Sequence, residues 1–488
     1  MKSNRRDFLK GTAWMGAAAV AAGCMSDGLR LSSGGAPMKG FSVPALKKIR
    51  VGVVGLGWRG GAAVKRVSKV PGVEVVALCD VIQERIDESQ ENLQKEGRRP
   101  ARAYCGKEAY KALCDSDLDV VYIATSWQMH TTVALYAMEH GKHAFIEVPS
   151  ATTLDECWAL VETAERTRRH CMQLENCCYG EAELLCHNLC KKGLIGELVH
   201  GEGAYIHDLR ELCYCDWANK HTNKLDEGYA DYWRLRYNKE HKGNQYETHG
   251  LGPIAKCMDI NRGDRFDYLV SLESDQYNFE AFAKARHAGH EWKDKVKIEM
   301  GDMNTTLIKT VKGRSIMVQH DVSSPRPYSR INRVTGTKGA FEGFQFFDET
   351  DPYAHPDRSG CFCRFGWEAS PGARMHTYFD MEKMEKLRLE HAHPLWKRAG
   401  ELAKKVGGHG GMDLLMDLRW AYCLQNGLPL DTDVYDLASW CSLGELTERS
   451  VRSGSMPQKV PDFTRGAWKT ARPFEIVDVD FAKMGREA

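Results

Sequence analysis

The sequence predicts an α/β protein in which a doubly wound parallel sheet is followed by an α+β domain with a mostly antiparallel, open sheet. Three observations predict this class. Apolar strands alternate with amphipathic helices from residue 48, a glycine-rich loop follows the first strand, and longer runs of alternating polar and apolar residues begin at residue 199. The length of 488 residues also exceeds what one hydrophobic core usually serves, so at least two domains are expected.

The N-terminus has the order of an export signal. Arg5 and Arg6 precede a short apolar run, 11–23, which ends in small residues before Cys24. The run is too short to span a bilayer, which takes about 20 residues, and the arginine pair is typical of the twin-arginine route. We expect 1–24 to be a twin-arginine signal peptide of a periplasmic protein. Lipidation of Cys24 would anchor the chain to the membrane, and ordinary cleavage is the alternative.

Charge and cysteine content exclude several classes of function. The chain has 67 Lys and Arg against 66 Asp and Glu, with no basic block, so nothing indicates a nucleic-acid partner or an anionic membrane surface. The 17 cysteines follow no regular framework, and a twin-arginine substrate folds in a reducing compartment before export. We therefore expect most of them to be buried apolar side chains. Neither Cys177-Cys178 nor Cys361 with Cys363 has a second pair at zinc spacing, so no metal site is predicted.

After a Gly-, Ser- and Pro-rich linker, 25–47, strands and helices alternate through the first domain, 48–173. The predicted strands are IRVGVVG, VEVVALCDV, DLDVVYIAT and KHAFIEVP. The predicted helices are GAAVKRVSKV, QERIDESQENLQKEG, HTTVALYAMEHG and TLDECWALVETAERTRRH. Continuous apolar strands separated by amphipathic helices are typical of a parallel sheet covered on both faces, which is the Rossmann organisation.

The remaining chain has a different pattern. In 174–400, the runs VHGEGAYIHDL, FDYLVSLES, KIEMGDMNTTLIKTVKGRSIMVQHDV and RINRVTGTKGAFEG predict a mostly antiparallel sheet. In 401–488, MDLLMDLRWAYCLQNG and DVYDLASWCSLGELTERSV are apolar at helical spacing. We expect these two helices and the tail to pack on both domains.

A glycine loop stands where the first strand gives way to the first helix. Gly55, Gly57 and Gly60 form G-x-G-x-x-G, and Asp80 ends the next strand. Such glycines let the backbone approach a pyrophosphate at a helix N-terminus, and an acid at this place accepts hydrogen bonds from ribose hydroxyls. The charge of Asp80 would repel a 2′-phosphate, so NAD is favoured over NADP. Arg59 is either a phosphate contact or a solvated loop residue.

Two further strand ends carry a resemblance to a known superfamily. The strand DLDVVYIAT leads into Ala124-Thr-Ser-Trp127-Gln-Met-His130, and the strand KHAFIEVP ends in Glu147-Val148-Pro149. With the glycine loop and the domain order, these residues resemble the glucose–fructose oxidoreductase and inositol dehydrogenase superfamily. Its sugar dehydrogenases generally read Glu-Lys-Pro, with the lysine beside the substrate hydroxyl. Val148 has no ionisable group, so it can move no proton.

Longer stretches are similar to glycoside hydrolase family 109. They are HGEGAYIHDLR at 200–210, NQYETHGLGPIAKCMDINRGDRFDYLVSLES at 244–274 and HGGMDLLM at 409–416. The Glu-Val-Pro variant and the twin-arginine signal also fit that family, whose members cleave N-acetylgalactosaminides with bound NAD. Glu247 departs from the family, which usually has proline there. It adds a charge beside the expected site and removes a restraint on the loop.

The resemblance implies a redox-neutral hydrolysis of terminal α-N-acetylgalactosamine. Hydride leaves C3 of the sugar to NAD, the C2 proton is removed, the C1 substituent leaves, water adds, and the hydride returns to C3. NAD is then recycled within each turnover and needs no external partner, which also suits an exported enzyme. The alternatives are an exported NAD-dependent sugar dehydrogenase and a non-catalytic sugar-binding protein. A small-molecule or glycan substrate and a homodimer are expected from the family.

The candidate site residues follow from the motifs and from this resemblance. Tyr246 and His249 lie three apart, on one face if a helix begins there, with His249 as base and Tyr246 as relay. The substrate-binding candidates are Tyr205, Arg234, Tyr246, Glu247, Thr248, His249 and Tyr328. Arg236 is an alternative to Arg234. The cofactor-binding candidates are Gly55, Gly57, Trp58, Arg59, Gly60, Asp80, Trp127, His130, Glu147, Val148 and Asn176. The HGGMD stretch either closes over the site or turns the chain before a helix.

Overall fold

The computed structural model describes residues 36–214, 229, 232–290, 292–343, 361–364 and 379–485. The predicted signal peptide, Cys24 and the first part of the linker lie outside the described residues. Within them, no helix is both long enough and apolar enough to cross a membrane.

The first sheet has six parallel strands, which confirms the doubly wound domain. Its strands are β1 (Ile49–Val54), β2 (Val73–Asp80), β3 (Arg102–Cys105), β4 (Val120–Ile123), β5 (His143–Ile146) and β6 (Cys171–Gln173). Their spatial order is β3-β2-β1-β4-β5-β6. The order reverses between β1 and β4, which is where open α/β sheets bind ligands.

Five helices connect these strands. They are α1 (Trp58–Val67), α2 (Gln83–Lys95), α3 (Ala109–Cys114), α4 (Trp127–Glu139) and α5 (Leu154–Thr167). The predicted long elements are present, whereas the short β3, α3 and β6 have no predicted counterpart. Segments of three to six residues carry too little periodicity to be recognised in a sequence.

In the described part of the chain, the second sheet has eight strands and is mostly antiparallel. They are β7 (Leu198–Ile206), β8 (Phe266–Glu273), β9 (Asn304–Thr310), β10 (Ser315–Asp321), β11 (Arg333–Gly336), β12 (Gly339–Glu342), β13 (Cys361–Arg364) and β14 (Gln458–Lys459). Their order is β13-β12-β11-β7-β10-β9-β8-β14, and only β7 and β10 pair in parallel among these strands. Alternate residues of β9 and β10 are buried, so one face covers a core and the other is open.

The other described helices pack between and around the sheets. They are α6 (Glu181–Lys191), α7 (Arg210–Tyr214), α8 (Trp233–Glu240), α9 (Thr248–Cys257), α10 (Asn278–Arg286), α11 (Met381–His391), α12 (Pro394–Val406), α13 (Met412–Asn426) and α14 (Val434–Arg452). Helix α13 packs on α1, and α14 contacts both α5 and β8. The two C-terminal helices thereby join the layers, and α14 begins at a capping box formed by Asp433 and Asp436.

Candidate active site

The glycine loop has the shape that a dinucleotide requires. A Cβ on Gly60 would lie 1.8 Å from the carbonyl oxygen of Gly55, and a Cβ on Gly55 would lie 2.5 Å from that of Ala124. In contrast, a Cβ on Gly57 would meet nothing closer than Arg85 at 3.8 Å. Gly57 also precedes α1 without a side chain that caps its first N–H groups. The loop is therefore packed tightly at Gly55 and Gly60 and open at Gly57, which fits a phosphate at the helix N-terminus.

Asp80 lies at the end of β2 and holds this loop in place. Its carboxylate accepts hydrogen bonds from the backbone N–H of Leu56 at 2.6 Å and of Ile82 at 2.9 Å. Arg85, which the sequence analysis did not single out, lies 3.6 Å from the same carboxylate. The position of Asp80 next to Gly57 suits the predicted contact with ribose, which stays a prediction.

Arg59 reaches across the end of the sheet. It donates to Glu147 Oε1 at 2.8 Å and to Asp413 Oδ2 at 3.1 Å, and it lies 3.2 Å from His409 Nδ1. The two carboxylates outweigh the cost of burial and raise the pKa of Arg59 well above its ordinary value. Arg59 is thus an ion-paired residue between the glycine loop and the end of β5, and the reading as a solvated loop residue is wrong. Trp58 beside it is more than half exposed, with its ring 6.4 Å from that of His409.

Asp413 is the centre of this network, although in the sequence only the HGGMD stretch that contains it was a candidate. Besides Arg59, it accepts a hydrogen bond from Asn176 Nδ2 at 2.6 Å and lies 2.9 Å from His409 Nδ1. Burial alone would raise the pKa of Asp413, but Arg59 and Arg66 outweigh burial and hold it well below its ordinary value. The signal in the sequence was a histidine and an aspartate four residues apart at a helix start.

The remaining strand ends form the floor of the crevice. His130 is buried, and its Nδ1 and Nε2 lie 2.8 Å and 3.0 Å from the carbonyl oxygens of Pro149 and Thr125. Its ring therefore ties the end of β4 to the end of β5, so it is engaged by backbone and not open to a ligand. Burial lowers its pKa, and a neutral ring donates to only one of these two carbonyl oxygens. Val148 is buried next to Glu147, where the superfamily has its lysine.

The sugar-side candidates Tyr205, Tyr246, His249 and Tyr328 meet on the other side of the crevice. The ring centroid of Tyr246 lies 4.8 Å from that of His249 and 4.5 Å from that of Tyr205. Tyr328 is 6.1 Å from Tyr205. Helix α9 begins only at Thr248, so Tyr246 lies before the helix and the condition for one shared helical face is not met. Thr248 itself is fully buried. The turn before the helix, not helical spacing, brings Tyr246 to His249.

His249 is paired with Glu175, a residue that no motif in the sequence indicated. Its Nδ1 lies 2.8 Å from Glu175 Oε1, and Glu175 also accepts a hydrogen bond from the backbone N–H of Cys177. Burial would raise the pKa of Glu175, but His249 outweighs it and lowers the pKa below the ordinary value. An ionised carboxylate only accepts, so Nδ1 of His249 carries the proton of this bond, and the neutral form of the ring has its lone pair on Nε2. The pair has the chemistry of an oriented general base.

Arg234 is the cation of this side. It is buried, its guanidinium lies 4.8 Å from the ring centroid of Trp127 and 5.0 Å from that of Tyr246, and it donates to the hydroxyl of Tyr229. Among the described residues no carboxylate pairs with it. Arg236, the other candidate in the sequence, lies on the exposed face of the same helix. Of the two arginines, Arg234 is therefore the one that faces the site.

Glu247 does not lie with the sugar-side residues, which corrects its assignment to substrate binding. Its side chain lies in a small pocket lined by Gln245, Cys441 and Gly444, against α14. It is 1% exposed, and Oε1 has no hydrogen-bond partner among the described residues. Burial raises the pKa of Glu247 well above its ordinary value, so the side chain is a neutral acid and adds no charge to the site.

Two groups of described residues offer three ligand atoms close enough together to hold a metal. They are Glu175, Cys177 and His249 at this site, and Cys186, Cys190 and Cys257 between α6 and α9. The prediction that the chain has no metal site stays a prediction.

Comparisons with known proteins identify families for both halves of the chain. Residues 49–174 match the family model of the oxidoreductase family with an NAD-binding Rossmann fold, and residues 179–470 match that of the glycosyl hydrolase 109 C-terminal domain. The chain is 45% identical over 444 residues to glycosyl hydrolase family 109 protein 1 of Bacteroides fragilis, covering 89% of each. It is 44% identical to a family 109 protein of Porphyromonas gingivalis, covering 91% of this chain and 90% of that protein.

Solved structures agree on the fold. Levoglucosan dehydrogenase in complex with NADH and levoglucosan superposes with a TM-score of 0.60 at 16% identity, covering 85% of this chain and 100% of that one. An oxidoreductase from Agrobacterium radiobacter in complex with NAD+, L-tartaric acid and magnesium superposes with a TM-score of 0.54 at 18% identity, covering 84% and 98%. At such identities the likeness concerns the fold alone.

Proposed function

Because the chain belongs to glycosyl hydrolase family 109 and has an NAD-binding Rossmann domain, we propose that it removes terminal α-linked N-acetylgalactosamine with NAD held through turnover. The observation that carries this proposal is the pair of His249 and Glu175. It supplies an oriented base beside Tyr246, at a site where Val148 leaves the usual lysine position without an ionisable group. A base that can remove a carbon-bound proton is what the elimination mechanism needs beyond hydride transfer.

The overall reaction consumes one glycosidic bond and one water. When bound, NAD would accept hydride from C3 while the proton of the C3 hydroxyl passes to a base, and both would return at the end, so that no net oxidation occurs. Between these steps the ketone at C3 acidifies the C2 hydrogen, His249 Nε2 takes that proton, and the C1–O bond breaks as the leaving group gains a proton. Water then adds its oxygen to C1 and its hydrogen to C2.

Tyr246 and Arg234 have roles that follow from their surroundings. Burial raises the pKa of Tyr246 well above its ordinary value, so its hydroxyl keeps its proton and acts as a hydrogen-bond donor to a sugar oxygen. Arg234 lies against the ring of Tyr246, so it can contact the same sugar. Its guanidinium is fixed by aromatic contacts and supplies several donors in one plane.

The carboxylates of the site support a mechanism without the usual pair of glycosidase acids. Glu147 and Asp413 are ion-paired with Arg59, and Glu175 is bonded to His249. Two-carboxylate hydrolysis needs one free acid and one free base or nucleophile, and NAD-dependent glycosidases are among the exceptions to that rule.

The proposal includes the location and assembly of the enzyme. The sequence of 1–24 supports export by the twin-arginine route, to the periplasm or to a lipid anchor at Cys24, because such substrates fold with their cofactor first. The open face of the second sheet supports a homodimer, since Leu272 on β8 and Leu307 on β9 are 67% and 55% exposed there. Light scattering of the purified mature chain would give twice the chain mass.

One assay separates this proposal from its alternatives. Purified protein without added NAD is offered an aryl α-N-acetylgalactosaminide, and both the aryl group and absorbance of NADH are followed. Release of the aryl group without NADH accumulation supports the glycosidase. Net NADH formation would instead favour a sugar dehydrogenase, and sugar binding without either product would favour a non-catalytic protein.

A further inference from the structure

Four side chains from distant parts of the chain meet over the cofactor crevice. Arg59 comes from the start of α1, Glu147 from the end of β5, and His409 and Asp413 from the start of α13, about 350 residues after Arg59. A dinucleotide in this fold runs from the end of β2 past the glycine loop to the ends of β4 and β5. The ion pair of Arg59 with Glu147 spans the second half of that path.

Asp413 holds these side chains in place from the buried side of the cluster. It is 1% exposed, so it does not itself reach a ligand in the crevice. Its two oxygens instead bond to Arg59 and to Asn176, which approach the crevice from different elements. If one of these oxygens were replaced by an NH2 group, Arg59 would have Glu147 as its only ionised partner among the bonds described, and either Arg59 or Asn176 would lose its acceptor.

The segment before α13 is shaped to bring a histidine over Arg59. Gly411 has a φ of +100°, and a Cβ there would lie 2.7 Å from the backbone carbon of Ala403 at the end of α12. A larger residue cannot adopt this turn, so the glycine is required for the close approach. His409, whose side chain is 40% exposed, then lies on the solvent side of Arg59 and against Trp58.

We propose that Asp413 is a positioning residue for NAD: through Arg59 and Asn176, and with His409 as the outer cover, it closes a clasp that sets the dissociation rate of the cofactor. The clasp rests on the proposed function, since an enzyme that recycles NAD outside the cytoplasm must not lose it. The clasp consists of four side chains, Arg59, Glu147, His409 and Asp413, and Asn176 is the further residue that Asp413 positions. None of them needs to contribute to the chemistry at the sugar.

The test measures NAD retention without substrate, so its outcome is independent of glycosidase activity. Three proteins are purified with bound NAD: the wild type, Asp413→Asn and His409→Ala. Each is diluted into an excess of an enzyme that consumes free NAD, and native mass spectrometry then measures the NAD that remains bound per chain. We expect NAD to leave Asp413→Asn at least about 10-fold faster than wild type, as expected for loss of roughly 1.4 kcal/mol. His409→Ala should release it about threefold faster, because His409 only covers the clasp.

Asp417→Asn is the matched control. Asp417 lies one turn later on α13, is equally buried, and accepts from Arg66 and Trp420, with no bond to Arg59 or Asn176. Arg66 also lies 3.5 Å from Asp413, so the control keeps the burial and the arginine neighbour and differs in lacking the contacts to the clasp. This variant should lose thermal stability and keep the wild-type release rate. The proposal is overturned if Asp413→Asn retains NAD like wild type, or if both aspartate variants lose NAD in proportion to their loss of melting temperature. Should Asp413→Asn not fold, an unchanged release rate in His409→Ala overturns it alone.

Discussion

The arginines of the cofactor side and of the sugar side of the crevice are partnered in opposite ways. On the cofactor side the charged groups already have partners, as in the pairs of Arg59 with Asp413 and of Asp80 with the loop N–H groups. On the sugar side Arg234 is buried among aromatic rings, and its Nε has no hydrogen-bond partner among the described residues. A paired network costs little to keep and suits a resident cofactor, whereas unpaired buried donors are stabilised only when a ligand supplies acceptors.

The largest expected effect comes from removing the base on the sugar side. His249→Ala should lower the rate of glycoside cleavage by about 10³- to 10⁴-fold, which is what a positioned proton-transfer group contributes at most. Because the cofactor side is untouched, NAD per chain should stay at the wild-type level. Steady-state kinetics measures the loss of rate, and native mass spectrometry measures the bound NAD. Loss of NAD in this variant would contradict the separation of the two sides.

A smaller effect is expected from the partner of that base. Glu175→Gln keeps the shape but no longer fixes the proton on Nδ1 of His249, so the wrong tautomer becomes populated. We expect a rate about 100-fold lower, with a shifted pH profile of kcat/KM. Glu175→Asp, which keeps the charge, should recover part of the loss. Equal losses in both variants with an unmoved pH profile would indicate a merely structural role.

The next effect concerns affinity instead of rate. Arg234→Lys keeps the charge but loses the planar donors that aromatic contacts hold in place, so KM should rise about 10-fold with a smaller change in kcat. The exposed Arg236 gives a control on the same helix, and Arg236→Lys should behave like wild type. If Arg236→Lys raised KM as much as Arg234→Lys, the substrate would lie on the other face of α8.

The smallest expected effect is on stability, and it concerns a residue that belongs to neither the cofactor side nor the sugar side of the crevice. Glu247 has a folded-state pKa raised well above its unfolded value of 4.5, because it is buried. Its stability contribution is therefore complete below pH 4.5 and is lost as the pH rises through the folded pKa. Glu247→Gln should raise the free energy of unfolding at pH 7.5 by roughly 1 kcal/mol and make it less pH-dependent. Urea unfolding at several pH values measures this, and a destabilised variant at pH 7.5 would contradict the buried neutral acid.

The same contrast explains which parts could be predicted from the sequence. The glycine loop and Asp80 belong to consecutive strand–helix units, so local pattern places them. Glu175 lies 74 residues from His249, and Asp413 lies 354 residues from Arg59, so their pairing depends on how the layers pack. The assignment of Glu247 was wrong because its side chain, just before α9, packs against α14, and that contact depends on residues about 200 positions away.

The account depends on removal of the C2 proton by His249 during cleavage, and hydrolysis in D₂O tests this most directly. NMR of the released sugar should show deuterium at C2, because the proton taken there exchanges with solvent before water adds. It should show ordinary hydrogen at C3, because hydride returns to the carbon that it left. Full-rate hydrolysis with hydrogen retained at C2 would contradict the account.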